Sequence, residues 1–128
     1  MKLYYTPGAC SLSPHIALKE AGIPHELIKV DLKGKTLAAS GEDYNQVNPK
    51  SQVPALALDN GELVTEGPVI VQMIADKAPA AGLAPASGTP ERYRLQEWLN
   101  FISAEVHKTF SPLFNPAVPE EAKVFFRN

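Results

Sequence analysis

The most reactive side chain in this 128-residue sequence belongs to Cys10, its single cysteine. Cys10 follows a short strand-like segment and the turn-forming pair Pro7-Gly8, and it comes just before a segment with helical signals. A thiol at a helix start faces unpaired backbone N–H groups and the positive end of the helix dipole, and both favour the thiolate. The sequence therefore predicts a nucleophilic Cys10 at the carboxyl edge of a sheet, where ligands collect. A buried, inert cysteine is the alternative.

A second group of residues has the chemistry to bind charged or sulfur-containing groups. Glu66 and Gly67 open an apolar helical segment, where a carboxylate attracts cations and free N–H groups attract anions. Asn100 and His107 are seven residues apart on a predicted helix and so share one face. An imidazole there can hydrogen-bond a sulfur or shift the pKa of a thiol. Purely structural or solvated roles are the alternatives for Glu66 and His107.

Metal-ligating residue types do not cluster in the sequence. His15 and His25 fit no ligand spacing, and a single cysteine permits neither a cysteine-rich metal site nor an internal disulfide. We therefore expect no metal cofactor.

The composition excludes several function classes. Hydrophobic residues make up 45% of the chain and charged residues 20%, as in ordinary globular proteins. A formal charge of −2 and a pI near 5.9 give no basic surface for nucleic acid or anionic membranes. We expect no membrane span, because no apolar run is long enough, and no signal segment. Together with the absence of disulfides, these features predict a cytoplasmic protein.

The periodicity of the first part of the chain predicts an α/β domain. The expected order is β-α-β-α-β-β-α: a parallel pair joined by a helix, then a hairpin and a covering helix. Asn60-Gly61 is typical of hairpin turns, and Gly22 is a helix stop. Residues 33–48 lack a strong pattern and predict a loop with a short helix. The strands are expected at 2–5, 26–32, 53–58 and 62–65, and the other two helices at 14–22 and 69–77.

A proline- and alanine-rich linker, 79–89, separates two predicted domains, 1–78 and 90–128. Thr89 is expected to cap a long helix, whose apolar residues follow the spacing of a buried stripe. We expect the chain to stop partway through this second, helical domain. The predicted stripe consists of Leu95, Trp98, Leu99, Ile102 and Val106.

Four stretches in combination resemble bacterial glutathione S-transferases, most closely the cysteine-containing beta class. They include Gly8-Ala9-Cys10-Ser11, Gln52-Val53-Pro54-Ala55 and Thr65-Glu66-Gly67, and they span 1–15, 48–56, 65–67 and 97–108. The resemblance implies a thioredoxin-like N-terminal domain with a mixed sheet, followed by an all-helical domain.

The resemblance also implies a glutathione site. It assigns catalysis to Cys10, Ser11 and His107, with Ser11 bonding the bound thiolate or capping the helix. The Val53–Pro54 bond is implied to be cis, which turns the Val53 N–H and C=O toward the ligand. Many family members have serine where this chain has Gly67, which offers only its N–H. The implied binding residues are Ala9, Lys35, Gln52, Val53, Pro54, Glu66, Gly67 and Asn100.

The function implied is an enzyme of detoxification that conjugates glutathione, its co-substrate, to small xenobiotic or halogenated electrophiles. Cys10 is implied to form a mixed disulfide with glutathione, so a glutathione-dependent thiol–disulfide oxidoreductase is one alternative. Cys10-Ser11-Leu12-Ser13 has only one cysteine, and such a cycle needs external glutathione. A non-catalytic glutathione-binding or dimerisation module is the other alternative. The resemblance implies a homodimer with no nucleic-acid or membrane partner.

Overall fold

A computed structural model describes residues 1–127, and their internal contacts divide the chain into two units. The first unit is Met1–Ser87, and the second begins at Gly88. The strands are β1 (Lys2–Tyr5), β2 (Glu26–Asp31), β3 (Thr36–Leu37), β4 (Ala55–Ala57) and β5 (Leu63–Thr65). The α-helices are α1 (Leu12–Glu20), α2 (Gly67–Lys77), α3 (Pro90–Phe101), α4 (Lys108–Phe114) and α5 (Glu120–Arg127).

The first unit contains a five-stranded mixed sheet in the order β3-β2-β1-β4-β5. β1 and β2 are parallel, with α1 as the crossover, and the other pairs are antiparallel. The β4–β5 hairpin turns at Gly61, whose φ of +87° suits the predicted Asn-Gly turn. This topology confirms the thioredoxin-like α/β domain.

The core of the first unit joins the centre of the sheet to α1 and α2. Leu3 of β1 and Leu56 of β4 are opposite each other in register, and both are fully buried. Leu18 of α1 and two isoleucines of α2, Ile70 and Ile74, complete this cluster. Burying a side chain of this size contributes about 1.5–3 kcal/mol, so these contacts anchor both helices against the sheet.

Residues 33–48 differ from the expected loop and short helix. Thr36 and Leu37 form a fifth strand against β2, and the helix is a single 3₁₀ turn at Tyr44–Gln46. Asp43 caps this turn by accepting a hydrogen bond from the Asn45 N–H. A two-residue strand leaves too little alternation for sequence periodicity to detect.

The described part of the second unit is helical. Thr89 caps α3 as predicted, since its hydroxyl accepts from the Arg92 N–H at 3.3 Å. The expected single long helix changes into a π-helix at Ile102–His107 and then into α4, which contains Pro112. The prediction of a buried stripe was wrong: Trp98, Ile102 and Val106 are exposed, and only Leu95 and Leu99 are partly covered. Within residues 1–127, every helix is too short or too polar to cross a membrane.

Candidate functional site

Cys10 lies in the loop that joins β1 to α1, and its side chain is exposed. Its Sγ donates a hydrogen bond to the Val53 carbonyl at 3.2 Å. Ala9 beside it is partly buried and packs against the small core cluster of Val30, Tyr44 and Val53. The loop therefore places the thiol directly against the segment that precedes β4.

The protonation state of Cys10 corrects the sequence-based expectation. The pKa of the Cys10 thiol is raised above its ordinary value, first because protein atoms around the sulfur desolvate it, and then because the Glu66 carboxylate repels a thiolate. The N–H groups of Cys10 and Ser11 lower this pKa, as a helix start should, but by less. Cys10 is thus a neutral thiol at neutral pH. The predicted thiolate was wrong because desolvation exceeds the effect of the helix end.

The Ser11 side chain is hydrogen-bonded within the β1–α1 loop. It is almost fully buried, and its Oγ accepts from the Thr6 N–H and donates to the Thr6 carbonyl, both at 3.1 Å. It makes no side-chain capping bond to α1. Both hydrogen-bonding directions of the hydroxyl are used inside the loop, so Ser11 holds the loop closed. The helix-capping alternative was wrong, and the assignment of Ser11 to catalysis stays a prediction.

The Val53–Pro54 peptide bond and the start of α2 lie together. The peptide bond is cis, as the family resemblance implies. Both residues are buried, and a Cβ built on Gly67 would meet only Pro54 Cγ, at 3.8 Å. Four of the predicted residues, Cys10, Val53, Pro54 and Gly67, are therefore brought together through neighbouring contacts.

Glu66 immediately precedes α2 and has a backbone conformation that is rare for its residue type. Its φ is +70°, in the region that favours glycine. Residues held in this way cost of order 1–3 kcal/mol and are concentrated at functional sites. Its carboxylate is exposed and pairs with Lys50 Nζ at 3.3 Å, and the same Nζ donates to Thr65 Oγ1 at 3.2 Å. Sequence reasoning did not identify Lys50, because a pairing sixteen positions apart leaves no local pattern.

Lys35 and Gln52 are linked through Tyr44, which sequence reasoning also missed. Lys35 has a φ of +54°, and its carbonyl accepts from the Tyr44 N–H at 2.8 Å. The Tyr44 hydroxyl donates to the Gln52 carbonyl at 2.9 Å, and Asn48 Nδ2 donates to the same oxygen at 2.8 Å. The Lys35 and Gln52 side chains are exposed, while Tyr44 and Asn48 are buried. A lone aromatic residue in a polar stretch was the one available signal for Tyr44.

Asn100 and His107 belong to the second unit and are exposed. Asn100 lies in α3, whereas His107 ends the π-helix. A π-helical turn takes more residues than an α-helical turn, so a seven-residue spacing across it does not keep two side chains on one face. An open apolar groove of roughly 330 Å³ lies beside His107. It is lined by Ile102, Val106, His107, Phe110, Ser111 and Phe114.

No group of three or more histidine, cysteine and acidic side chains that could hold a metal ion occurs in the described residues. The chemistry available in the first unit is instead that of a thiol, a backbone edge, a carboxylate and a helix start. Such a set can bind a zwitterionic peptide and place a sulfur atom near Cys10.

Comparison with known proteins identifies the same regions. Residues 8–77 match the family model described as glutathione S-transferase, N-terminal domain. The chain is 53% identical over 123 residues to glutathione S-transferase GstA of Escherichia coli O157:H7. It also resembles the solved structure of a sphingomonad glutathione S-transferase complexed with glutathione, with 55% identity and a TM-score of 0.94. A beta-class glutathione S-transferase of Sphingomonas chungbukensis gives 52% identity and a TM-score of 0.95.

The matches cover nearly all of this chain but only part of each relative. The E. coli match covers 96% of this chain and 61% of the relative. The two structures are matched over 98% of this chain and 62% of theirs. The chain thus spans about three-fifths of the length of these relatives.

Proposed function

The chain belongs to the glutathione S-transferase family, and from this membership we propose that it binds glutathione and transfers the glutathione thiolate to small electrophiles. The observation that carries the proposal is the convergence of Cys10, the cis Val53–Pro54 bond and the helix start at Glu66 and Gly67. A thiol, a backbone edge and a charged helix start match the three chemical parts of glutathione: its sulfur, its peptide groups and its γ-glutamyl zwitterion.

Each part of glutathione has a proposed partner in the first unit. The Val53 backbone pairs with the cysteinyl peptide, next to Pro54. The Glu66 carboxylate takes the γ-glutamyl ammonium, and the Gly67 N–H takes its carboxylate. Lys35 and Gln52 bind the glycine carboxylate or its peptide group, and Ala9 lies beside the glutathione sulfur.

The raised pKa of Cys10 favours the glutathione thiol over Cys10 as the nucleophile. Since Cys10 stays protonated at neutral pH, we propose that its S–H turns from the Val53 carbonyl, its acceptor in the free protein, to the sulfur of bound glutathione. This favours ionisation of the glutathione thiol, whose proton passes to solvent. The resulting thiolate attacks the electrophilic carbon, an S–C bond forms, and the leaving group departs with the electron pair of its own bond.

The electrophile is proposed to be a small apolar molecule, xenobiotic or halogenated, because the groove beside His107 is lined mainly by apolar side chains. His107 and Asn100 are proposed to contribute polar contacts in the second unit. The protein is further proposed to be a cytoplasmic homodimer that acts in detoxification.

The oxidoreductase alternative is less well supported, because exchange with a disulfide requires the thiolate and the Cys10 thiol is neutral. An exposed Cys10 still permits slow exchange: its minor thiolate attacks oxidised glutathione, a mixed disulfide forms, and one glutathione thiolate leaves. Intact mass after incubation should show one reductant-sensitive glutathione per chain, and none in Cys10→Ala. A rapid, complete adduct at neutral pH would favour the oxidoreductase.

The experiment that tests the proposed function is calorimetric titration of the chain with reduced glutathione. We expect binding that weakens about tenfold in Glu66→Gln, because a charge-assisted contact to the ligand ammonium is worth more than a neutral one. Glu62→Gln is the matched control, since Glu62 is an exposed carboxylate on the neighbouring hairpin. A folded wild-type protein without affinity for glutathione would contradict the proposal. Equal losses in both variants would contradict the role of Glu66.

A further inference from the structure

Two buried side chains converge on one backbone oxygen beside the proposed glutathione site. The Tyr44 hydroxyl and Asn48 Nδ2 donate to the Gln52 carbonyl at 2.9 and 2.8 Å. Tyr44 is 0% exposed and Asn48 is 2% exposed. Both lone pairs of this carbonyl are therefore used inside the protein, and the backbone on the N-terminal side of Val53 is held at a fixed position.

Tyr44 is itself held from several sides. Its N–H donates to the Lys35 carbonyl at 2.8 Å, and its carbonyl accepts from the Asn48 N–H at 2.9 Å. Its ring lies 5.6 Å from the ring of Tyr4 and packs in the cluster with Val30 and Val53. Tyr44 thus connects β1 and the Lys35 turn to the segment that enters β4.

The next carbonyl along the chain is that of Val53, which accepts a hydrogen bond from the Cys10 Sγ at 3.2 Å. A shift of the Gln52 peptide would change the position of the Val53 N–H and C=O relative to Cys10. Tyr44 and Asn48 cannot reach a ligand themselves, because their side chains are covered. Their side-chain hydrogen bonds to the Gln52 carbonyl therefore act on the site through the Gln52–Val53 backbone.

We propose that Tyr44 and Asn48 are positioning residues, which hold the Val53 backbone in the geometry that pairs with a peptide ligand and meets the Cys10 thiol. The inference rests on the proposed function for the identity of the ligand, glutathione. Burial raises the pKa of Tyr44, so its hydroxyl remains a donor throughout the physiological pH range.

The test is the Tyr44→Phe variant, which removes the hydroxyl and keeps the ring. Tyr4→Phe is the matched control, because it removes a hydroxyl from the neighbouring ring and leaves Gln52 untouched. We expect Tyr44→Phe to weaken glutathione binding about three- to tenfold, as the loss of one buried hydrogen bond predicts. Tyr4→Phe should bind like the wild type. Circular dichroism of both variants verifies that they are folded.

A second measurement, the rate of Cys10 alkylation by iodoacetamide at pH 8, needs no ligand. A Val53 carbonyl that is no longer held in place accepts less well from the thiol, and we expect alkylation to become about two- to fivefold faster in Tyr44→Phe only. Iodoacetamide reports on the Cys10–Val53 contact, which a role in general stability would leave unchanged in a folded protein.

The outcomes separate the inference from the proposed function. A wild type that binds glutathione, with equal affinity in both tyrosine variants, would overturn the positioning role. A folded wild type without affinity overturns the proposed function, and the alkylation rates then decide the inference alone. Faster alkylation in Tyr44→Phe than in Tyr4→Phe would support it, and equal rates would overturn it.

Discussion

At the scale of single residues, the environment of Cys10 determines its chemistry more than its position in the sequence does. The sequence placed Cys10 correctly between β1 and α1 but predicted the wrong ionisation state. The pKa of Cys10 is raised by atoms that desolvate its sulfur and by the charge of Glu66, which is distant in the sequence. A local sequence pattern shows neither effect. Lys50, Tyr44 and Asn48 were missed for the same reason, because their contacts do not follow a local sequence pattern.

The first residue-scale prediction concerns the pH dependence of Cys10 alkylation. We expect the rate to rise at a higher pH than for a cysteine in an unfolded peptide, because the pKa is raised. Glu66→Gln should lower this pKa, since it removes a nearby negative charge. Lys50→Met should raise it, because Lys50 no longer offsets that charge. Glu62→Gln is the control and should leave the pH profile unchanged. An unchanged profile in Glu66→Gln and Lys50→Met as well would contradict the electrostatic coupling between Glu66 and Cys10.

The raised pKa also affects stability. The unfolded thiol has the lower pKa and loses its proton first as the pH rises, so the unfolded state binds fewer protons than the folded state. The contribution of Cys10 is fully present below the unfolded pKa and is lost as the pH rises through the folded pKa. We expect the free energy of unfolding of the wild type to fall, relative to that of Cys10→Ala, as the pH rises from 7 to 10. Denaturant titrations of both proteins, run at about the same protein concentration, measure this difference.

The third residue-scale prediction concerns Gly67 at the start of α2. A Cβ there meets only Pro54 Cγ at 3.8 Å, an ordinary contact, so a larger side chain fits. Gly67→Ser should stabilise the protein by about 0.5 kcal/mol, because glycine is a poor helix former. It should also tighten glutathione binding several-fold by adding a hydroxyl donor for the γ-glutamyl carboxylate. Gly67→Ala should show the stability gain in urea unfolding, and calorimetric titration with glutathione should show no gain in affinity.

At the scale of elements, the strongly patterned segments were predicted well and the weakly patterned ones were not. β1, α1 and the β4–β5 hairpin have clear periodicity and turn residues, and they occur as predicted. β3 has only two residues, and the π-helix at Ile102–His107 depends on hydrogen bonding that side-chain periodicity does not encode. The apolar spacing of α3 predicted a buried face, but burial requires a partner surface as well as a pattern.

The element-scale prediction concerns the β1–α1 loop. Ser11→Ala removes both hydrogen bonds to the Thr6 backbone; the Thr6 carbonyl keeps its bond from the Ala9 N–H, but the Thr6 N–H loses its Ser11 acceptor, so we expect a loss of about 1–3 kcal/mol in the free energy of unfolding. Ser13→Ala is the matched control, since Ser13 is exposed two residues further along the chain, and should change stability by less than about 0.5 kcal/mol. Urea unfolding measures both. Equal stabilities would show that Ser11 does not hold the loop.

At the scale of the whole molecule, large apolar side chains remain uncovered. Trp98 is 57% exposed, Phe114 is 83% exposed, and Phe101 and Phe110 are also exposed. Large exposed apolar side chains of this kind can mark sites of association. We expect the chain to self-associate, with a mass from light scattering that rises with protein concentration.

A substitution pair locates this association. Trp98→Gln should lower the apparent mass at a given concentration, whereas Leu83→Gln, at an exposed leucine of the first unit, should not. A monomeric wild type at all concentrations would contradict the prediction. Equal effects of both substitutions would place the contact surface elsewhere.

The central position of β1 has a consequence for biosynthesis. β1 precedes both of its partners in the chain, yet it is paired on one side with β2 and on the other with β4. During translation, at about 5–20 residues per second, the edge that awaits β4 stays open for several seconds after β2 has emerged. An unpaired, apolar strand edge is a template for aggregation. The nascent chain is therefore most vulnerable before Ala55–Ala57 leaves the ribosome, and chaperones that bind nascent chains would act in this interval.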